Sequence, residues 1–156
     1  MEEIAKKRKL KEDGILFCGN NATDVTGSMT LIKFGEKQIL LECGLYQDNS
    51  YLEAYKINSE KFKFDPTEID YVFVGHTHID HIGLLPRLVK EGFVGKIILT
   101  YATSVMAKYL LLNCAFIVAD EARVLSKRYG REYEPLYSED DVWNAIKLFH
   151  VYDEYD

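Results

Sequence analysis

The chain is poor in cysteine, has no long apolar run and carries no basic excess, and each shortage removes a class of explanation. Cys18, Cys43 and Cys114 are its only three cysteines, far apart, odd in number and without a CxxC pair. This argues against a disulfide framework or a cysteine-built zinc site and leads us to expect reduced, buried thiols in a cytoplasmic protein. No stretch approaches the roughly twenty apolar residues that span a bilayer, and no signal-like apolar region stands near the start, so no membrane role is expected. Lys and Arg number 19 against 25 Asp and Glu, a net charge of -6 that supplies no overall reason to bind a polyanion. The one basic run, Lys6-Lys7-Arg8-Lys9 with Lys11, lies in a polar stretch, 1–13, that reads as a solvated tail. Internal repeats and low-complexity segments are also missing, and 156 residues of ordinary apolar and charged content suit one core over residues 14–156.

Histidine is scarce too, and its placement is informative. Three of the four histidines fall within His76-Thr77-His78-Ile79-Asp80-His81, directly after the apolar run Tyr71-Val72-Phe73-Val74. That run has the pattern of a strand buried on both faces, and Gly75 lets the backbone turn out of the sheet. In an extended backbone His76 and His78 leave on the same side and can share one ion, while Asp80 and His81 can reach a second. Imidazole nitrogen and carboxylate oxygen suit zinc, with manganese or iron also open. Asp80 could instead cap a helix that begins near His81 and runs through Leu84, Leu85, Leu88 and Val89. Four donors in six residues favour a metal site, because a purely structural account needs a separate cause for each.

Along the chain, Ile15 to Cys18, Met29 to Phe34 and Lys37 to Leu41 read as strands, the last two joined by a hairpin turn at Phe34-Gly35-Glu36-Lys37. Residues 49–64 show no clean period. Lys96 to Thr100 reads as the next buried strand, and strand-helix-strand order implies a right-handed crossover in a sheet covered by helices. Two amphipathic helices are expected after it, Ser104 to Leu112 with Val105, Tyr109 and Leu112 inward, and Phe116 to Tyr129 with Val118, Ala122, Leu125 and Tyr129 inward. Glu139-Asp140-Asp141 reads as an acidic helix start rather than a catalytic cluster.

His76 to His81 matches the HxHxDH signature of the metallo-β-lactamase fold, and Gly83-Leu84-Leu85-Pro86-Arg87-Leu88 after it resembles the RNA-processing branch called β-CASP nucleases. Asn21 to Ser28, Ile39 to Gln47, Gly95 to Thr103, Leu110 to Asn113 and Pro135 to Val142 resemble the same branch, so the likeness runs from about Gly14 to Phe149. It implies an α/β fold of the αββα type, of which this chain would form the N-terminal half, a mixed sheet with helices packed against it. The resemblance further implies a two-zinc centre, with manganese possible, in which His76, His78, Asp80 and His81 are ligands and Asp80 also orients the attacking water. Glu42 stands where the branch usually has Asp; the implied role is an outer hydrogen-bond acceptor behind the ligands, on an arm about 1.5 Å longer.

Two metals can acidify water and neutralise charge on a phosphoryl or acyl oxygen, so hydrolysis is the expected chemistry. The resemblance implies RNA, or less often single-stranded DNA, as substrate. A thioesterase of the same fold is the rival enzyme reading, and a non-catalytic half-domain is the rival outside catalysis. The branch completes its site with later histidine and aspartate ligands for which this chain has no match, so little nuclease activity is expected from it alone. His150, in Leu148-Phe149-His150-Val151-Tyr152, reads as a strand residue, and Cys43 is a conceivable but disfavoured thiolate ligand. Self-association is expected through an uncovered apolar face built from Val72, Val74, Ile97 and Leu99.

Overall fold

The computed structural model describes residues 10, 12–19 and 26–152; the basic run before Lys11 and most of the Asn21 to Ser28 loop lie outside them. Six strands form one mixed sheet in chain order: β1 (Gly14–Phe17), β2 (Thr30–Phe34), β3 (Lys37–Leu41), β4 (Tyr71–Phe73), β5 (Lys96–Thr100) and β6 (Phe149–Tyr152). The first three pair antiparallel, and β3 to β6 run parallel. The hairpin between β2 and β3 closes over Gly35-Glu36, where Gly35 takes φ 59°, a conformation that glycine adopts without a Cβ penalty.

The parallel pairs need crossovers, and helices supply them. Helix α1 (Tyr51–Ser59) and a 3-10 turn at Pro66–Glu68 join β3 to β4; α2 (Ile79–Ile82) and α3 (Leu85–Lys90) join β4 to β5; α4 (Tyr101–Tyr129) and α5 (Glu139–Ile146) join β5 to β6. The α/β mixed sheet expected from the sequence is therefore present, and the 34–37 hairpin is where it was expected. The aperiodic stretch after Asn49 hides α1, a nine-residue helix whose start is fixed by the Ser50 side chain accepting from the Glu53 N–H. The single helix expected after the histidines is two, interrupted at Gly83, where any Cβ would strike Leu45 and the Ile79 carbonyl.

The two helices expected after β5 are one continuous α4 of 29 residues. Its N-terminal half is rotated from the expected stripe: Thr103, Ala107, Leu111 and Cys114 are buried, whereas Val105 and Tyr109 face outward. Val118, Ala122 and Leu125 are buried as expected, but Tyr129 is half exposed. By length and composition alone α4 is apolar enough to cross a membrane, which corrects the expectation that no segment reaches that length. Its burial every three or four residues is also the pattern of a helix laid on a core.

The core lies between the helices and one face of the sheet. Register carries Leu16, Leu31, Leu40, Val72, Ile97 and Phe149 in a single row across all six strands, and this row packs in one cluster with Leu85, Leu88, Leu111 and Val142 from the helices. Each fully buried aliphatic side chain stabilises by about 1.5–3 kcal/mol relative to exposure. The opposite face is open. Strand β4 is thus not buried on both faces, since Val72 is buried but Phe73 is 40% exposed. The location expected for the uncovered face is likewise corrected: Val72, Val74, Ile97 and Leu99 all lie beneath the helices, and the exposed apolar side chains include Ile15, Phe17, Phe34, Leu41 and Phe73. Alternation of side chains along a strand assigns the two sets to opposite faces.

Arg87 of α3 ties this layer together. Its guanidinium is buried and donates to the carbonyls of Asn58 and Glu60, which end α1, while Nε meets Glu91 Oε1 at 2.7 Å and the group lies 4.8 Å from the Phe62 ring. Removing it leaves desolvated carbonyls and a carboxylate unpaired. Arg87→Ala is expected to lower unfolding free energy by about 3–5 kcal/mol in urea titration, and Arg87→Lys, lacking the planar fork, should recover less than half of that loss.

Candidate metal centre

The site forms where β3 and β4 end side by side. Backbone pairing continues one step past the strands, from the Glu42 N–H to the Phe73 carbonyl at 2.9 Å. Glu42 then turns with φ 60°, the only positive value at a non-glycine among the described residues. Such a residue costs on the order of 1–2 kcal/mol and needs surroundings that hold it. Those are present: the Gly75 N–H donates to Glu42 Oε1 at 3.0 Å, and the chain beyond Glu42 is stitched to the metal loop. The Cys43 N–H donates to the His81 carbonyl at 2.7 Å, the Leu45 N–H to the Ile79 carbonyl at 3.0 Å, and the Leu84 N–H to the Cys43 carbonyl at 2.9 Å. Gly44 sits in the middle, donating to the Ser28 carbonyl, and a Cβ there would overlap the Asp80 carbonyl.

This framework delivers the histidines. His76 stands exposed just beyond β4, and His78 is the N-cap residue of α2, so Asp80 belongs to the helix's first turn and is not its cap. The capping alternative for Asp80 therefore falls. Donor atoms of Glu42, His76 and His81 lie within 4.8 Å of one another. The His76 ring centroid is 4.0 Å from that of His81 and 4.8 Å from that of His78. The two nitrogens of His81 face different acids, Nε2 lying 3.4 Å from Asp80 Oδ2 and Nδ1 lying 3.8 Å from Glu42 Oε1. His78 and Asp80 adjoin the tight group but are not within it.

Two buried atoms, Glu42 Oε2 and His81 Nδ1, have no hydrogen-bond partner. Orphaned donors and acceptors of this kind are costly unless a ligand or ion engages the group. Burial raises the Glu42 pKa, opposed by the Gly75 N–H and His81. Desolvation lowers that of His76, assisted by the neighbouring His81 and His78. A neutral imidazole is the form that ligates a metal. Clustered nitrogens, two carboxylates and orphaned polar atoms fit a divalent ion.

Cys43 is fully buried and its thiol pKa is driven far up by desolvation, so it belongs to the core rather than the ligand set. All three cysteines are free and buried. His150 lies exposed on β6, with Nε2 3.5 Å from Lys96 Nζ and outside the donor cluster. The sequence pattern did not reveal how close the Glu42 carboxylate comes to the histidines, because that proximity depends on the pairing of β3 with β4.

A family model described as the metallo-beta-lactamase superfamily matches residues 22–142. A ribonuclease of Thermus thermophilus is 40% identical over 125 residues, 80% of this chain and 25% of that protein. An endoribonuclease of Gibberella zeae is 27% identical over 143 residues, 90% of this chain and 16% of that one. Among solved structures, a flavo di-iron protein mutant of Thermotoga maritima superposes with a TM-score of 0.41 at 21% identity, over 92% of this chain and 24% of that one. The chain spans about a quarter or less of the length of these curated relatives. The resemblance to an RNA-processing branch agrees with the names of those relatives. With the family match extending from before β2 into α5, this chain belongs to the metallo-beta-lactamase superfamily.

Proposed function

We propose that residues 14–156 form the N-terminal part of a metallo-β-lactamase domain that hydrolyses phosphodiesters in RNA, or less often single-stranded DNA. The observation that carries this reading is the convergence of Glu42, His76 and His81, with two orphaned polar atoms, in a chain whose relatives are named ribonucleases. In this reading His76, His78, Asp80 and His81 hold zinc, with two ions in a completed site and manganese as a substitute. Asp80 also orients the attacking water. Glu42 stays outside the ligand sphere, its Oε1 3.8 Å from His81 Nδ1; on metal binding it would close to accept from Nδ1–H and so fix the tautomer that leaves Nε2 free to ligate. Bound divalent ions supply acidified water and neutralise charge building on a phosphoryl oxygen. A cytoplasmic setting is supported by the three free thiols.

Zinc measured by element analysis should co-purify with the wild-type chain and be lost from His76→Ala/His78→Ala; equal metal in both would defeat the ligand assignment. Glu42→Gln should weaken zinc retention by about ten- to a hundredfold. Four donors shared by two ions give about two protein ligands each, where zinc usually takes three or four ligands in all, so slow cleavage is expected. With a labelled single-stranded RNA and added zinc or manganese, this chain should cleave little. Robust cleavage abolished by Asp80→Ala would overturn the incomplete-site reading.

The open sheet face supports self-association with a second copy. Register aligns Ile15, Ile32, Ile39 and Tyr71 in one largely apolar row that ends at Lys96, and Phe17, Thr30, Leu41, Phe73 and Ile98 in the next, which ends at His150. Two such faces packed together bury both rows, as in a sandwich. Sedimentation at micromolar concentration should show dimer, and Phe73→Lys, at a half-exposed position, should give monomer with an unchanged circular dichroism spectrum; a monomeric wild type would exclude the association.

A further inference from the structure

Beside the metal loop a cavity of about 190 Å³ opens between α1, α4 and the segment following Gly44. Ile79, the residue before Asp80, forms part of its lining, so whatever enters it lies next to the candidate metal centre. Its volume is below the roughly 300 Å³ at which pockets for drug-sized ligands begin, which suits a single heterocycle better than a whole nucleotide.

The chemistry of the wall narrows the ligand. Tyr46 is buried and Tyr51 is half exposed, giving the cavity aromatic surface. Its ionisable charges are all acidic: Asp48 and Glu121 line it, and no lysine or arginine does. A phosphate is therefore repelled. Asn113 and Glu121 lie eight residues apart on α4, about two turns, and so present their side chains on one side of the helix. Among the described residues neither side chain makes a hydrogen bond within the chain, and partial burial raises the Glu121 pKa. Asp48 is already engaged by the Ser50 N–H at 2.7 Å and the Tyr46 hydroxyl at 3.2 Å. Asp48 and Glu121 join no cluster of three metal-donor side chains among the described residues, so the cavity is a poor cation site. An aromatic wall with uncommitted acceptors suits a flat, neutral ring that carries hydrogen-bond donors.

We propose that this cavity binds an unpaired nucleobase bearing an exocyclic amine, with Glu121 engaging the amine, Asn113 a second polar group on the base edge, and Tyr51 lying against the ring. The inference rests on the RNA reading above, and it adds a preference among bases. Unpaired bases in RNA are recognised by stacking on aromatic side chains and by hydrogen bonds to their edges. A carboxylate accepts from the N4 amine of cytosine. Uracil presents a carbonyl oxygen at the same place, which faces the carboxylate without a hydrogen bond and leaves a desolvated acceptor unpaired.

Amide chemical shifts of the ¹⁵N-labelled chain titrated with cytidine and with uridine test this directly. Cytidine should move the amides of Ile79, Asn113 and Glu121 and bind about tenfold more tightly than uridine, the effect of about 1.4 kcal/mol. Glu121→Gln, on a half-exposed helix position, should bring the two nucleosides within about twofold while leaving the melting temperature and zinc content unchanged. Equal binding of the two, shifts confined to other residues, absence of binding, or an unchanged preference in Glu121→Gln would each overturn the proposal. Labelled oligocytidylate and oligouridylate separate it from the reading on which it rests. Strands that bind equally, with no nucleoside in the cavity, remove the pocket and keep RNA as ligand. Cytidine that binds in the cavity while neither strand binds keeps the pocket and removes RNA.

Discussion

The approach of two backbones at Gly44 is the constraint on which the rest of the site depends. Ser28, Cys43 and Leu45 exchange main-chain hydrogen bonds with Ile79 to Leu84 while Gly44 donates to Ser28, so the segment leaving β3 and the loop leaving β4 become one hydrogen-bonded body. A side chain at residue 44 would occupy the position of the Asp80 carbonyl. Main-chain bonds of this kind are insensitive to side-chain identity, whereas a Cβ between the two strands is excluded by volume. Glycine at this one place therefore allows Asp80, His81 and Glu42 to share a small space without any of them supplying the scaffold.

Glu42 carries the tension in that arrangement. Its backbone is held at φ 60°, its side chain is partly desolvated, and one carboxylate oxygen is committed to the Gly75 N–H. Each of these is unfavourable or restrictive alone. Together they aim the second oxygen and His81 Nδ1 into a buried region with no other partner, a form of pre-organisation in which strain at a strand end positions chemistry. Arg87 does comparable work in the opposite direction, committing Nε to Glu91 and both terminal nitrogens to the end of α1, so its charge is structural.

How far the sequence was legible follows from the range of the interactions concerned. The hairpin at Gly35, the strands Thr30–Phe34 and Lys96–Thr100 and the histidine loop are written in local patterns, and they stand where those patterns put them. Helix α1 was obscured because its buried residue, Asn58, is polar and is stabilised by a distant partner, the main chain of Tyr46 at 2.8 Å through both its amide groups. The outward rotation of Val105 and Tyr109 was hidden because a largely apolar helix does not announce which stripe meets the sheet. Which face of β4 is covered was unreadable for a related reason, since Val72 and Phe73 are both apolar and only the placement of the crossover helices distinguishes them. The candidate centre was half legible: its histidines are adjacent in sequence, but Glu42 joins them only through the parallel register of β3 and β4, and Asn113 and Glu121 reach the neighbouring cavity only through the packing of α4 on α1.

The sheet order has a consequence for the way the molecule assembles. Strands lie side by side in the order in which they occur along the chain, from β1 to β6. Each strand therefore finds its partner already made when synthesis proceeds from the N-terminus, and no strand has to be inserted between two that are already paired. The antiparallel hairpin pairs residues close in sequence and forms a template early, while each later parallel strand must await the closure of a helical crossover. The closure with the longest connection is that of β6, which follows the whole of α4 and α5. Until that strand docks, β5 is the unprotected edge of the nascent sheet, and the interval during which it remains so is set by the longest connection in the fold.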